Sequence, residues 1–200
     1  MQIIRHRVNT AEELRGVRPE WGAEIDLRSD VNRPGRLHLA HDPWTLGWDF
    51  EEWATEAAKQ SIRGPIILNT KEDGLEARAA EIMSRAGLKN FFFLDTQIPT
   101  LVKLGGKIAA SFAVRLSRYE PSELASQFEG KAEWVWVDCF EGIPMEAARL
   151  SPLVGKFKIC LVSPELQGKP VETIPDFRSL LAHADAVCTK VPDRWTAVNL

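Results

Sequence analysis

The sequence has little of what marks several large functional classes. It has three cysteines in 200 residues, Cys139, Cys160 and Cys188. They are odd in number, widely spaced and without a Cys-x-x-Cys pair, so they support neither a disulfide framework nor a zinc site. Each falls in an apolar, strand-like run and reads as a small buried residue. No apolar run is long enough to span a bilayer. Neither sign of charge dominates: 25 Lys and Arg stand against 28 Asp and Glu, a net charge of −3. That balance argues against a nucleic-acid-binding surface but allows a local basic pocket. No Gly-x-Gly-x-x-Gly or P-loop sequence follows any strand, so nucleotide binding of those kinds has no support. The opening residues read as a strand, not a signal peptide, and the expectation is a cytoplasmic protein.

What is present is ordinary for a soluble globular chain, with 44% hydrophobic and 26% charged residues. The length fits a single domain over residues 1–200. Eight strand-like runs occur, at residues 2–7, 22–28, 66–71, 90–95, 107–115, 132–138, 157–163 and 186–191. Helical patterns separate them, at residues 11–17, 49–61, 75–86, 100–104, 121–128, 144–153 and 174–183. Apolar strands alternating with helices argue for a parallel sheet. Eight repeats are the count of a closed (β/α)8 TIM barrel, here compact and with short loops. An open doubly wound sheet is the alternative. Most runs are apolar in the body and polar at the C-terminal end, at His6, Asp26, Lys71, Asp95, Arg115, Asp138, Ser163 and Lys190. In a barrel those ends converge on one face.

The stretch Gly22–Arg28 is the informative one. Side chains on a strand alternate faces, so Glu24 and Asp26 point one way while Ile25 and Leu27 point the other. Two like charges on a buried face repel unless a cation lies between them. Mg²⁺ or Ca²⁺, which prefer carboxylate oxygens, would suit. His6 and His41 could flank such an ion as a proton-transfer pair, because imidazole titrates near neutral pH. Arg7 and Lys71 would add positive charge around a phosphate. Together the set suits displacement at a phosphodiester.

His6-Arg7, Glu24-x-Asp26 on the next strand and then His41-Asp42 resemble the glycerophosphodiester phosphodiesterase family. That family shares a superfamily with phosphatidylinositol-specific phospholipase C and spider-venom phospholipase D. The resemblance covers roughly residues 1–71. It implies a (β/α)8 barrel, a divalent-metal-dependent hydrolase of small phosphodiesters, and a place in lipid metabolism. It carries over His6 and His41 as the acid/base pair, Glu24 and Asp26 as metal ligands, and Lys71 as the strand-three lysine. Val8 stands where the family has a glycine, and Asn69 where it has a third metal carboxylate. An amide oxygen can ligate Mg²⁺ or Ca²⁺ but brings no charge. The span from His41 to the third strand is also too short for the insertion that many members carry.

Asp95, Arg115, Asp138 and Lys190 divide between rim salt bridges and substrate contacts. His38 reads as an outer-face residue, His183 as a helix-end cation, and Trp44 and Trp48 as possible pocket walls. Two other readings stay open. One is a degenerate, non-hydrolytic barrel that binds a phosphorylated ligand or a partner protein. The other is a lyase using Lys71 or Lys190 as a Schiff-base amine.

Overall fold

The computed structural model describes residues 1–198. Its ten strands are β1 (Gln2–Arg5), β2 (Gly22–Ser29), β3 (Leu37–Leu39), β4 (Trp48–Asp49), β5 (Ile66–Thr70), β6 (Phe91–Leu94), β7 (Ser111–Leu116), β8 (Trp134–Val137), β9 (Lys158–Val162) and β10 (Ala186–Thr189). Eight of them run parallel in the order β1-β10-β9-β8-β7-β6-β5-β2, and β1 pairs back onto β2. The ring is therefore a closed (β/α)8 barrel, and no parallel edge is left open. The remaining two, β3 and β4, form an antiparallel ribbon on the outer end of β2.

Alternation along the strands sorts the side chains into two layers. Ala23, Ile25, Leu27, Ile66 and Leu68 face outward and pack on helices α2 (Phe50–Lys59) and α3 (Glu76–Arg85), through Phe50, Trp53, Ala79 and Met83. Ile4, Ile67, Phe92, Ala113, Trp134, Cys160 and Cys188 face inward and fill the barrel. Phe92 stacks on Trp134 there at 4.5 Å between ring centres. The cysteines are all free and buried, as small core residues are. Continued toward the strand C-termini, the inward series reaches His6, Glu24, Asp26, Asn69, Arg115 and Asp138. The floor of the barrel is apolar and its mouth is polar.

Local chemistry explains the first connections. Helix α1 (Ala11–Arg15) starts at a reciprocal capping box between Thr10 and Glu13. Asp49 caps α2 by accepting from the backbone N–H groups of Glu51 and Glu52. Short helices α4 (Ile98–Leu104) and α5 (Ser122–Ser126) follow, and α6 (Pro192–Val198) ends the described chain.

The second half departs from the expected helices. Residues 144–153 hold only a 3-10 turn at Ala147–Arg149. Just two of their apolar side chains, Leu150 and Leu153, are fully buried, which is too little apolar face to sustain a ladder. The expected helix at 174–183 is a 3-10 segment, Val171–His183, with Pro175 inside it. Pro175 lacks the N–H an α-helix would use and crowds the carbonyl four residues back. The strand expected over 107–115 begins only at Ser111.

His38 was expected on an outer face and is instead buried, at 5% exposure. The reason is the hairpin: β4 folds back over β3, and His38 Nε2 bonds the Thr45 carbonyl at 3.1 Å.

Candidate active site

The polar ends of the strands wall a cavity of about 220 Å³ at the C-terminal mouth of the barrel. His6, Arg7, Glu24, Asp26, His41, Asn69, Lys71, Asp95, Arg115 and Asp138 all contribute to its wall. Lys190 does not; it is exposed, and its backbone N–H donates to Glu165 Oε1 at 2.9 Å. Trp44 and Trp48 lie outside this cavity as well. Ser163, another strand end, is buried outside this cavity's wall and accepts the Trp195 indole N–H at 2.7 Å.

β2 supplies the two carboxylates, each 1% exposed. The register sets Asp26 directly beside Asn69 on β5. Glu24 Oε1 accepts from Asn69 Nδ2 at 3.0 Å, and its Oε2 accepts from the backbone N–H of Arg7 at 2.8 Å. Arg7 adopts a left-handed backbone, φ 53°, just past β1. A non-glycine residue held in that region is characteristic of functional sites. Burial, with the Asp26 charge adding to it, pushes Glu24 up to about 7.

Asp26 is held from three sides. Lys71 Nζ lies 2.9 Å from Oδ1, Asn9 Nδ2 donates to Oδ2 at 2.8 Å, and Arg7 Nε stands 3.9 Å from Oδ2. Asn9 also accepts from the Asp26 backbone N–H at 2.9 Å, so one amide side chain fixes both ends of the residue. Sequence reasoning missed Asn9. Its one signal was an amide directly after the His-Arg strand, where the chain turns back over β2.

The two histidines differ. His6 sits inside the mouth with Nε2 3.7 Å from Glu24 Oε2. Burial, then the positive charges of Arg7, Lys190 and Lys71, pull it down to about 3, so it is neutral at pH 7. His41 follows β3, is half exposed, and pairs through Nδ1 with Asp42 Oδ1 at 2.7 Å. A carboxylate accepts from Nδ1–H, which leaves Nε2 free for a substrate. The charge of His41 in turn helps hold the Asp42 carboxyl low, after that hydrogen bond.

Across the mouth, Arg115 bridges two carboxylates. Its Nε donates to Asp95 Oδ1 at 2.8 Å and its Nη1 to Asp138. Asp138 also accepts from Gln167 Nε2 at 2.7 Å, a partner that the sequence reading did not single out. Burial, reinforced by Asp95 and Glu120 against the pull of Arg115, pushes Asp138 up to about 6. Both Asp95 and Asp138 are taken up by Arg115. Among the described residues no group of three or more His, Cys, Asp and Glu side chains forms a metal cluster.

The donors present still suit a hard divalent cation in kind. Glu24, Asp26 and the buried, unpartnered Asn69 Oδ1 offer oxygens from adjacent strands. Lys71 supplies a positive charge to the same carboxylates from within the chain.

No protein-family model matches the chain, and no curated protein matches it. Solved structures do. A Galdieria sulphuraria protein provisionally named a glycerophosphodiester phosphodiesterase covers 100% of this chain and 98% of its own, at a TM-score of 0.76 and 15% identity. A glycerophosphodiester phosphodiesterase of Agrobacterium tumefaciens covers 98% and 99%, at 0.70 and 12%. An Oleispira antarctica phosphodiesterase, solved with its product sn-glycerol-3-phosphate, covers 100% and 96%, at 0.65 and 13%. At such identities the likeness establishes the fold.

Proposed function

We propose that the chain is a phosphodiester hydrolase of the glycerophosphodiester phosphodiesterase family, acting on a small diester. The observation that supports this most is that His6, Glu24, Asp26, His41 and Lys71 wall one cavity at the mouth of a (β/α)8 barrel. Barrel enzymes place their chemistry on that face. The structural neighbours named for this activity share the fold over nearly their whole length.

In this reading Arg7 and Lys71 bind the diester anion. The anion offsets the positive charges of Arg7, Lys190 and Lys71, which add to burial in holding His6 low, and so raises its basicity. His6 and His41 then share the two proton transfers, one removing a proton from the attacking hydroxyl and one delivering a proton to the leaving oxygen. Asp42 orients His41 through Nδ1. Glu24, Asp26 and Asn69 would hold Mg²⁺ or Ca²⁺, which when bound supplies Lewis-acid polarisation of a phosphoryl oxygen.

One observation favours a second reading. Lys71 already stands as a cation beside Asp26, and the Asn9 and Asn69 amides bond Asp26 and Glu24, so the pair is compensated from within the chain, as in a binding barrel without turnover.

Hydrolysis of bis-p-nitrophenyl phosphate and glycerophosphocholine, with and without Mg²⁺ or Ca²⁺, separates the two. The hydrolase reading expects turnover that falls by about 10²- to 10⁴-fold in His6→Ala and in His41→Ala. Phosphate binding by calorimetry with no turnover of any diester would establish the binding protein instead.

A further inference from the structure

A second cavity, of about 530 Å³, is walled by the end of β2, by β3 and by the turn between β3 and β4. Its wall includes Arg28, Val31, His38, Pro43, Trp44 and Leu46. β2 connects the two cavities, because the strand face carrying Glu24 and Asp26 reaches Arg28 two residues later. Arg28 Nη2 donates to the His41 carbonyl at 2.9 Å, and His41 is itself a wall of the first cavity.

Three apolar side chains here lie open to water. Trp44 is 98% exposed, Val31 82% and Leu46 65%. Trp44 sits on a left-handed backbone, φ 66°, and Gly47 passes so close to the ribbon that a Cβ there would meet the Leu39 carbonyl at 1.7 Å. The loop's shape is therefore set by its backbone rather than by burial of its apolar groups. The wall also carries unused polar atoms. His38 Nε2 faces a carbonyl and so carries the proton, which makes Nδ1 an acceptor. Among the described residues neither His38 Nδ1 nor Arg28 Nε has a protein partner, although both are shielded from solvent.

We propose that this cavity is a specificity subsite that takes the apolar alkyl arm of a phosphodiester whose phosphate lies in the neighbouring cavity. The inference rests on the hydrolase reading for what occupies the first cavity. A single substrate molecule spans the two, its alkyl arm covering Trp44 and Leu46 and its phosphate facing Arg7 and Lys71.

The test uses methyl, butyl and hexyl esters of sn-glycerol 3-phosphate, kept below any aggregation threshold. For the wild type, kcat/KM is expected to rise about three- to fourfold for each of the first few methylenes buried. In the Trp44→Ala/Leu46→Ser variant, whose changes are on the surface, the hexyl ester is expected to fall to within about twofold of the methyl ester. A wild-type rate independent of chain length, or a dependence that survives in the variant, overturns the subsite. If the wild type hydrolyses no diester, the hydrolase reading fails. Calorimetry with methyl and hexyl phosphate then decides the subsite alone: tighter hexyl binding that the variant loses supports it, and equal binding overturns it.

Discussion

Lys71 Nζ stands 2.9 Å from Asp26 Oδ1, both groups nearly withdrawn from water at the mouth of the barrel. The lysine is an internal cation for a carboxylate that would otherwise share its face with Glu24 unneutralised. Removing one partner of a buried pair costs more than the pair contributes, because the other charge is left alone. Lys71→Gln should therefore destabilise the cation-free protein by about 3 kcal/mol in urea unfolding at pH 7. The same variant should bind Mg²⁺ or Ca²⁺ more tightly than the wild type in titration calorimetry, since no ammonium competes for Asp26. Unchanged cation affinity would mean that Lys71 and the ion do not share the site.

Asn9 gives a prediction of a different kind. Its amide receives the Asp26 backbone N–H and donates to the Asp26 carboxylate. Asn9→Ala leaves a buried donor and a buried carboxylate oxygen without partners. The expected loss is about 2–3 kcal/mol of stability. A fall in kcat larger than any rise in KM should accompany it, because the carboxylate is freed to turn. Asn9→Asp should not rescue, since it places a third negative charge beside Asp26. Guanidinium unfolding and steady-state kinetics on the two variants check both points.

Asp42 orients His41 from the solvent side. An exposed carboxylate is screened by water and salt, so its effect on the ring is smaller than that of a buried one. Asp42→Asn should lower kcat by about tenfold, far less than His41→Ala, with the fold untouched. Raising the salt concentration should narrow the difference between wild type and variant. A loss in Asp42→Asn as large as in His41→Ala would point to a direct role for the carboxylate.

The barrel was legible because its signals are periodic. Eight apolar runs bounded by turns give eight strands, and period-two alternation places Glu24 with Asp26, and opposite Ile25 with Leu27, without any tertiary information. The polar strand ends were legible for the same reason, apart from Lys190, which is exposed, and Ser163, which is buried against Trp195. The illegible parts depend on contacts that sequence spacing does not encode. His38 reads as exposed in any single strand, and only the fold-back of Trp48–Asp49 buries it. Residues 144–153 carry a helical composition but too little buried face to wind. Asn9, Gln167 and the Arg115 bridge are pairings between residues distant in the chain.

The Arg115 bridge yields the pH dependence. One guanidinium serves both Asp95 and Asp138, with Glu120 adding a further negative field, so its charge does not suffice to keep Asp138 at an ordinary carboxylate pKa. Burial pushes Asp138 up to about 6 from the usual 3.8. The folded state then holds this proton more tightly than the unfolded chain does. Protonation of Asp138 therefore stabilises the fold fully below about pH 3.8, and that contribution is lost as pH rises through about 6. In the difference between wild type and Asp138→Asn, stability should decline by on the order of 3 kcal/mol across that window and stay flat above it. Arg115→Met should shift the decline to higher pH, because the largest pull on Asp138 toward its ionised form has gone. A difference curve that instead rises with pH would show that Arg115 outweighs burial and keeps Asp138 ionised throughout.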